Sequence, residues 1–430
     1  MRNCEDLTVL SLLKVCAKTK DLSKGIRLHA EIRNRGLLEK SPHLGSSLIN
    51  MYAKCGALST AAQMLEELPV RDVISWNALI AGYSQQGHGH EAILCFERMR
   101  SEGITPVGVT FTCILKACGS IKAIDKGEQI HDEILRKGLL VEDPVLGTAL
   151  VDMYAKCGVL TKAREVFDGL LVRNIVSWSA LIAGYVQQGH GHEALKCYEQ
   201  MLSEGLSPNI VTLICSLKAC GSIGATEMGR NIHDQIVCRG FIEEETLGNT
   251  LINMYAKCGE LAKAQQVLRE LLVRGVVSWN ALISGFSQQG QGHEAISCLQ
   301  MMQSEGLSPD EITFLCVLNA CSHAGQLDEA QILFQNMSGK FRITLNFEHQ
   351  TCMVMVLGCA GHFESAISLI KVMPCDYTSG WLALLAACRK WGHVKLGRVA
   401  FEQVVQLDNH CAAAYALMAS IFVAAGMKEE

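Results

Sequence analysis

Much of this chain is one stretch of sequence written several times, and that repetition limits its possible folds more than any other feature. Met51-Tyr52-Ala53-Lys54-Cys55-Gly56 recurs unchanged at Met153–Gly158 and Met254–Gly259. Trp76-Asn77-Ala78-Leu79-Ile80 returns at Trp178–Ile182 and Trp279–Ile283, with Ser179 in place of Asn in the middle copy. The period is 101–102 residues, and it divides into three similar units of 35, 35–36 and 31 residues. Self-similarity at this scale is the signature of stacked repeats, each too small to bury its own apolar face.

Each unit reads as two helices. In 73–107, Trp76, Leu79, Ile80 and Tyr83 fall at i, i+3, i+4 and i+7, the spacing of one helical face. Gln86-Gly87-His88-Gly89 interrupts that pattern as turn residues do. Ala92, Phe96 and Met99 then mark a second helix, which Ser101-Glu102-Gly103-Ile104-Thr105-Pro106 stops. No segment sustains a period-2 alternation, so sheet is not expected. The spacing predicts an all-α solenoid whose stacked hairpins share one core and offer a long concave surface.

Composition agrees with a folded array. Charged residues make up 19% of the 430, below the usual ~25%. The 38 basic and 43 acidic residues give a net charge of −5, which excludes a generic polycation coating nucleic acid but not a local basic groove. Thirteen of the 20 cysteines belong to copied sets, such as Cys16, Cys118, Cys220 and Cys321. They read as small apolar packing residues in a reducing compartment rather than as disulfide partners. Leu7–Leu13 is apolar, but it follows Glu5 and Asp6 and runs into Lys14-Val15-Cys16, the counterpart of Lys116-Ala117-Cys118. It is therefore a repeat helix and not a secretory leader. Asn409–Met427 lacks charge but is alanine-rich and only weakly apolar, so no membrane role is expected.

The Ser-Trp-Asn/Ser-Ala-Leu-Ile strings, the Met-Tyr-Ala-Lys-Cys-Gly strings and Leu115-Lys116-Ala117-Cys118-Gly119 with its copies resemble the pentatricopeptide repeat family. Among its members the chain is similar to the plant PLS arrangement of P, L and S units. Matching the strings gives units at 6–41, 42–72, 73–107, 108–143, 144–174, 175–209, 210–244, 245–275, 276–310, 311–346 and 347–378. The last pair resembles the family's terminal L/S pair through Leu318–Gly325 and Glu348–Val354. Trp381–Arg389 resembles the start of the family's E-type extension, so 379–430 is expected to be an incomplete extension. The resemblance implies a right-handed superhelical solenoid.

It also implies that each unit meets one RNA base. The fifth and last residues of a unit would touch the base edge, and the second residue would pack on base faces. A small hydroxyl or amide at a fixed place satisfies one pattern of donors and acceptors and leaves another unpaired. The edge-reading pairs are then Ser46/Asp72, Asn77/Val107, Thr112/Asp143, Thr148/Asn174, Ser179/Asn209, Asn249/Gly275, Asn280/Asp310 and Thr351/Thr378. Leu10/Ser41, Ile214/Glu244 and Leu315/Asn346 have an apolar fifth residue and are not expected to read an edge. By the family's code, and with the chain's N-terminus at the RNA 5′ end, the pairs from Ser46 onward suggest 5′-G-Y-N-A-A-N-Y-U-N-N-3′. The second positions are Ile74, Val109, Val145, Val176, Val211, Val277 and Ile312, all β-branched. They could wedge between bases, and packing within the hairpin is the other reading. This scheme requires Asn77, Ser179 and Asn280 to lie neither inside the packed core nor on the outer wall. Trp76, Trp178 and Trp279 lie on the apolar face and read as core. Lys54, Lys156 and Lys257 could hold phosphates or serve solubility.

Catalytic patterns are fragmentary. His29-Ala30-Glu31 and His131-Asp132-Glu133 match half of a zinc deaminase signature, but no Cys-x-x-Cys occurs and the third copy is His233-Asp234-Gln235. His88-Gly89-His90 and His190-Gly191-His192 could clamp a metal, yet the third copy carries Gln291 before His293, and a turn explains all three. The expectation is a non-enzyme with no cofactor or metal. The resemblance implies a single-stranded RNA-binding protein of a mitochondrion or chloroplast, with no targeting peptide visible. Its expected role is as specificity factor for C-to-U editing with a deaminase recruited in trans through 311–430. RNA binding for transcript stability or splicing, a protein-binding solenoid and a non-functional truncated copy are the alternatives. Both ends of the chain read as cut, and the run Cys411–Gly426 resembles an internal helix with a side left open.

Overall fold

The computed structural model describes residues 2–38, 42–374 and 378–425. All regular structure among them is helical, with no strand. The chain divides into two compact units, Met1–Ser216 and Leu217–Glu430.

Within the first unit the helices pair into hairpins: Pro42–Lys54 with Leu58–Glu67, Val73–Gln85 with Gly89–Ser101, Gly108–Ile121 with Ile124–Arg136, and Pro144–Lys156 with Leu160–Asp168. Ile175–Gln187 pairs with Gly191–Ser203 in the same way. The second unit repeats the plan, with Glu245–Lys257 and Leu261–Glu270, Val276–Gln288 and Gly292–Ser304, and Glu311–Ala324 and Leu327–Gly339 among its hairpins. In each unit the first helix of one hairpin packs on the first helix of the next.

Short turns follow from residue chemistry. Val73–Gln85 ends at Gln86, and Gly87 then turns the chain with φ +83°, a left-handed conformation that costs glycine nothing. The His88 N–H closes the turn on the Tyr83 carbonyl at 2.9 Å.

The apolar faces meet as the periodicity requires. Trp76 and Trp178 are fully buried and Trp279 nearly so, as are Ala92, Phe96 and Met99 on the facing helix. Trp178 meets Phe167 edge-on at 4.5 Å between ring centroids. Neighbouring first helices approach so closely that a Cβ added to Gly82, Gly184 or Gly285 would lie 2.4–2.5 Å from the Cβ of Ala53, Ala155 or Ala256. The described cysteines are free thiols, and burial pushes those of Cys118, Cys220 and Cys298 up to about 12, as expected of packing residues.

The hairpins are also tied by a copied hydrogen bond. Nδ1 of His29, His131 and His233 lies 2.8, 2.9 and 3.0 Å from the hydroxyls of Tyr52, Tyr154 and Tyr255. At the C-terminal end, helix Ala412–Ala424 buries Ala414, Met418 and Ile421 and leaves Tyr415 and Val423 exposed. No described helix is long and apolar enough to cross a membrane.

Candidate nucleic-acid interface

Apart from Ser41 and Thr378, the last residue of a unit sits at the N-cap of the next unit's first helix, which explains part of its chemistry. Asp72 Oδ1 accepts from Ser75 N at 2.8 Å, Asn174 Oδ1 from Ser177 N at 2.9 Å, and Asp310 Oδ1 from Thr313 N at 2.8 Å. Asn209 Oδ1 accepts from Thr212 N at 2.8 Å, and Asp143 Oδ1 from Val145 N at 2.9 Å. Asp and Asn are favoured caps for this reason alone. Ser41 lies outside the described residues. Val107 and Gly275 have no side-chain acceptor to offer; their backbone N–H groups bond Thr110 Oγ1 at 3.1 Å and Ser278 Oγ at 3.3 Å.

The fifth residues lie one helical turn in from these caps, beside them. Ser179, only 6% exposed, shares a 2.7 Å bond with Thr212 Oγ1 and lies 3.5 Å from Asn209 Oδ1. Asn280, 8% exposed, donates from Nδ2 to Asp310 Oδ1 at 3.0 Å and accepts on Oδ1 from Thr313 Oγ1 at 2.6 Å. Asn77 is half-buried and accepts from Thr110 Oγ1 at 2.7 Å. Ser179 and Asn280 are thus almost closed over, and the side chains they bond are polar ones at the start of the next helix. Burial pushes the Asp310 carboxyl up, but the bonds from Thr313 and Asn280 outweigh it and the net shift is downward.

Several fifth residues bond their own helix, as Ser179 also does through the Ile175 carbonyl at 2.7 Å. Ser46 donates to the His43 carbonyl, Thr148 to Pro144 and Thr351 to Phe347. Thr112 donates to Gly108 in the same fashion. Oδ1 of Asn249 is buried without a partner. Thr378 opens helix Thr378–Trp391 and is half-buried.

The second residues are open. Ile74, Val109, Val145, Val176, Val211, Val277 and Ile312 are 51–60% exposed, so packing within the hairpin does not account for them. In the first unit of the chain, Val145, Val176 and Val211 line one groove of about 380 Å³ together with Thr112, Thr148, Ser179 and Asn209. Exposed β-branched side chains therefore alternate along this groove with the polar fifth residues. In the second unit of the chain, a smaller groove of about 160 Å³ holds Asn249 and Val277 in the same relation. A larger hollow of about 440 Å³, lined by leucines such as Leu135, Leu170 and Leu171, contains none of these residues.

Lys116 lines the first groove and Lys218 the second; both are exposed. They were legible only as part of a copied Leu-Lys-Ala-Cys string. Of the three lysines expected from sequence, Lys257 lines the second groove, whereas Lys156 is 2.7 Å from Asp152 on its own helix. The histidines of the fragmentary deaminase pattern are those of the His–Tyr bonds, which gives them a structural role. No group of three or more His, Cys, Asp or Glu among the described residues is placed to hold a metal.

Profiles described as PPR repeat and PPR repeat family match this chain at 46–73, 71–120, 109–139, 148–175, 173–222, 249–276, 274–323 and 312–340. The mitochondrial pentatricopeptide repeat-containing protein At1g06140 of Arabidopsis thaliana is 32% identical over 100% of this chain and 77% of its own length. The chain belongs to the pentatricopeptide repeat family. Two further Arabidopsis relatives are the repeat-containing protein At2g33680, 37% identical over 98% of this chain, and the chloroplastic protein CRR2, 36% identical over 97%. The chain spans 58% and 64% of these two. Among solved structures, the pentatricopeptide repeat protein PPR10 in complex with an 18-nucleotide psaJ RNA element aligns with a TM-score of 0.70 at 17% identity, over 95% of this chain and 65% of PPR10. The structure of PPR10 from maize aligns with a TM-score of 0.51 at 18% identity, over 97% and 71%. Both share the all-helical repeat fold.

Proposed function

We propose that this chain binds one stretch of single-stranded RNA by sequence. The observation that carries the reading is the alternation of exposed β-branched second residues with polar fifth residues along one groove. A stiff Val or Ile loses little side-chain entropy when a base face settles on it. The polar residue between two such wedges then faces a base edge. PPR10, of the same fold, is described with bound RNA.

The finer assignment is a PLS-type array over 6–378 followed by an E-type extension, acting as specificity factor for C-to-U editing in a mitochondrion or chloroplast. The relatives named for both organelles support the location. A deaminase would be recruited in trans through 311–430.

A mobility-shift titration tests the binding. The chain should shift a ten-nucleotide RNA of the pattern 5′-G-Y-N-A-A-N-Y-U-N-N-3′ more strongly than its scrambled counterpart, and equal shifts remove the code. Editing of a bound transcript by added organellar extract separates the editing role from transcript stability or splicing. Deamination by the purified chain alone with zinc would overturn its assignment as a non-enzyme.

A further inference from the structure

Where each 31-residue unit meets the following 35-residue unit, the three copies of the long period build a charge cluster differently. In the first copy Arg71 pairs with Glu66 at 3.1 Å and with Glu102 at 2.7 Å, and Arg98 bonds the same two carboxylates. In the second, Arg173 lies 4.0 Å from Asp168 and 3.4 Å from Glu204, and Arg164 pairs with Asp168 at 2.9 Å. In both copies two guanidinium groups meet two carboxylates.

The third copy lacks one of the carboxylates. At the place of Glu66 and Asp168 it has Arg269, while Arg274 and Glu305 keep the places of Arg71 and Glu102. Arg274 pairs with Glu305 Oε1 at 3.1 Å, and Glu305 Oε2 accepts from Trp279 Nε1 at 3.2 Å. Arg269 is exposed and makes no ion pair or hydrogen bond among the described residues. Its neighbour Glu270 accepts from Gln266 Nε2 at 2.8 Å, as Glu67 does from Gln63 at 3.0 Å in the first copy.

The last turn of a helix favours a cation, which accounts for Arg269 on Leu261–Glu270 but not for the space beside it. A hollow of about 230 Å³ opens there, with both arginines, Trp279, Leu268, Met301 and Glu305 in its lining. Met301 stands at the place from which Arg98 covers Trp76 in the first copy, and it brings no charge.

We infer that Arg269 and Arg274 form a docking pocket for a side-chain carboxylate, Asp or Glu, of a partner protein. The chain's own Glu66 and Asp168 show which group the arrangement accepts, because each supplies in its own copy the anion that the third copy lacks. A planar guanidinium matches a carboxylate through two parallel N–H bonds. Leu268 and Met301 suit an aliphatic residue next to that acid. None of these residues lines the groove that holds Asn249 and Val277, so the pocket is separate from the proposed RNA path and does not depend on it.

A library of seven-residue peptides displayed on phage, selected on the full native chain and on Arg269→Glu, tests this. Arg269→Glu rebuilds the charge arrangement of the first copy, so it should fold with an unchanged or higher thermal midpoint. The native chain should enrich an Asp or Glu beside Leu, Ile or Met, and the variant should not. An amidated peptide of that consensus should bind the native chain at least about tenfold more tightly than the variant in fluorescence anisotropy, equivalent to about 1.4 kcal/mol. Arg269→Gln, which adds no negative charge, should weaken binding in the same direction, as should replacing the peptide's acid by its amide. Inorganic phosphate should compete no better than acetate at equal concentration, and the RNA mobility shift should be the same for the native chain and Arg269→Gln. Peptides enriched equally on both chains, or without an acid, overturn the inference. So does stronger competition by phosphate or an RNA shift weakened by Arg269→Gln, either of which would make the pocket a phosphate site.

Discussion

Nδ1 of His131 lies 2.9 Å from the hydroxyl of Tyr154, and the two rings meet edge-on at 5.6 Å, joining the second helix of one hairpin to the first helix of the next. The same pairing holds His29 to Tyr52 and His233 to Tyr255. Burial lowers the pKa of all three histidines below the usual 6.5, outweighing the nearby carboxylates that pull the other way. The unfolded chain therefore binds protons at a higher pH than the folded one. Stability should be full above pH 6.5 and fall as the pH drops from 6.5 toward the folded values. Urea midpoints measured at pH 7.5 and 5.5, above the range where carboxylates titrate, check this. Replacing all three histidines by Gln should flatten the dependence, and a midpoint that rises on acidification would contradict the account.

Close helix approach makes a second prediction. A Cβ on Gly184 would lie 2.4 Å from Ala155 Cβ and 3.3 Å from its Cα, so the clash is with a short, stiff neighbour. Gly184→Val should destabilise the chain by about 1–3 kcal/mol through overpacking. A Val at a helix interior is otherwise no worse than Gly, so an unchanged thermal midpoint would mean that the two helices are not in contact.

Phosphate contacts can be counted through salt. Lys116 and Lys218 are exposed beside the two grooves, whereas Lys156 already has Asp152 as a partner. Changing Lys116 or Lys218 to Gln should reduce the slope of log K against log salt by about 0.7 for each lost single-strand contact. Lys156→Gln should change it less. Equal slopes in all three variants would move the RNA backbone elsewhere.

The hairpins were legible because helix spacing and turn chemistry were written in every copy; Trp76, Phe96 and Gly87 each do what their pattern requires. The second residues were ambiguous in sequence, since Val and Ile suit a core as well as an open wedge, and their exposure sets aside the core reading alone. The role of Thr110, Thr212 and Thr313 was not legible. Their hydroxyls bond the fifth residue of the preceding unit, and a reading made unit by unit does not see a bond that crosses between units. The near-burial of Asn280 was hidden for the same reason, because its cover comes from Asp310 and Thr313 at the next helix start.

Asn280→Ser tests the edge-reading scheme most directly. The structure already holds a serine at the equivalent place, Ser179, whose hydroxyl shares a 2.7 Å bond with Thr212. A serine at 280 can bond Thr313 in the same way, so the fold should tolerate the change and far-ultraviolet circular dichroism should not move. The lost amide no longer reaches a small pyrimidine ring, and the shorter side chain leaves room for a purine. Preference at the assigned nucleotide should shift from U toward G, the base expected of Ser46/Asp72. The lost hydrogen bond is worth on the order of 1–3 kcal/mol where the base edge is left unpaired. Binding measured with each of the four bases at that nucleotide decides the matter; an unaltered ranking in a folded variant would remove Asn280 from the interface.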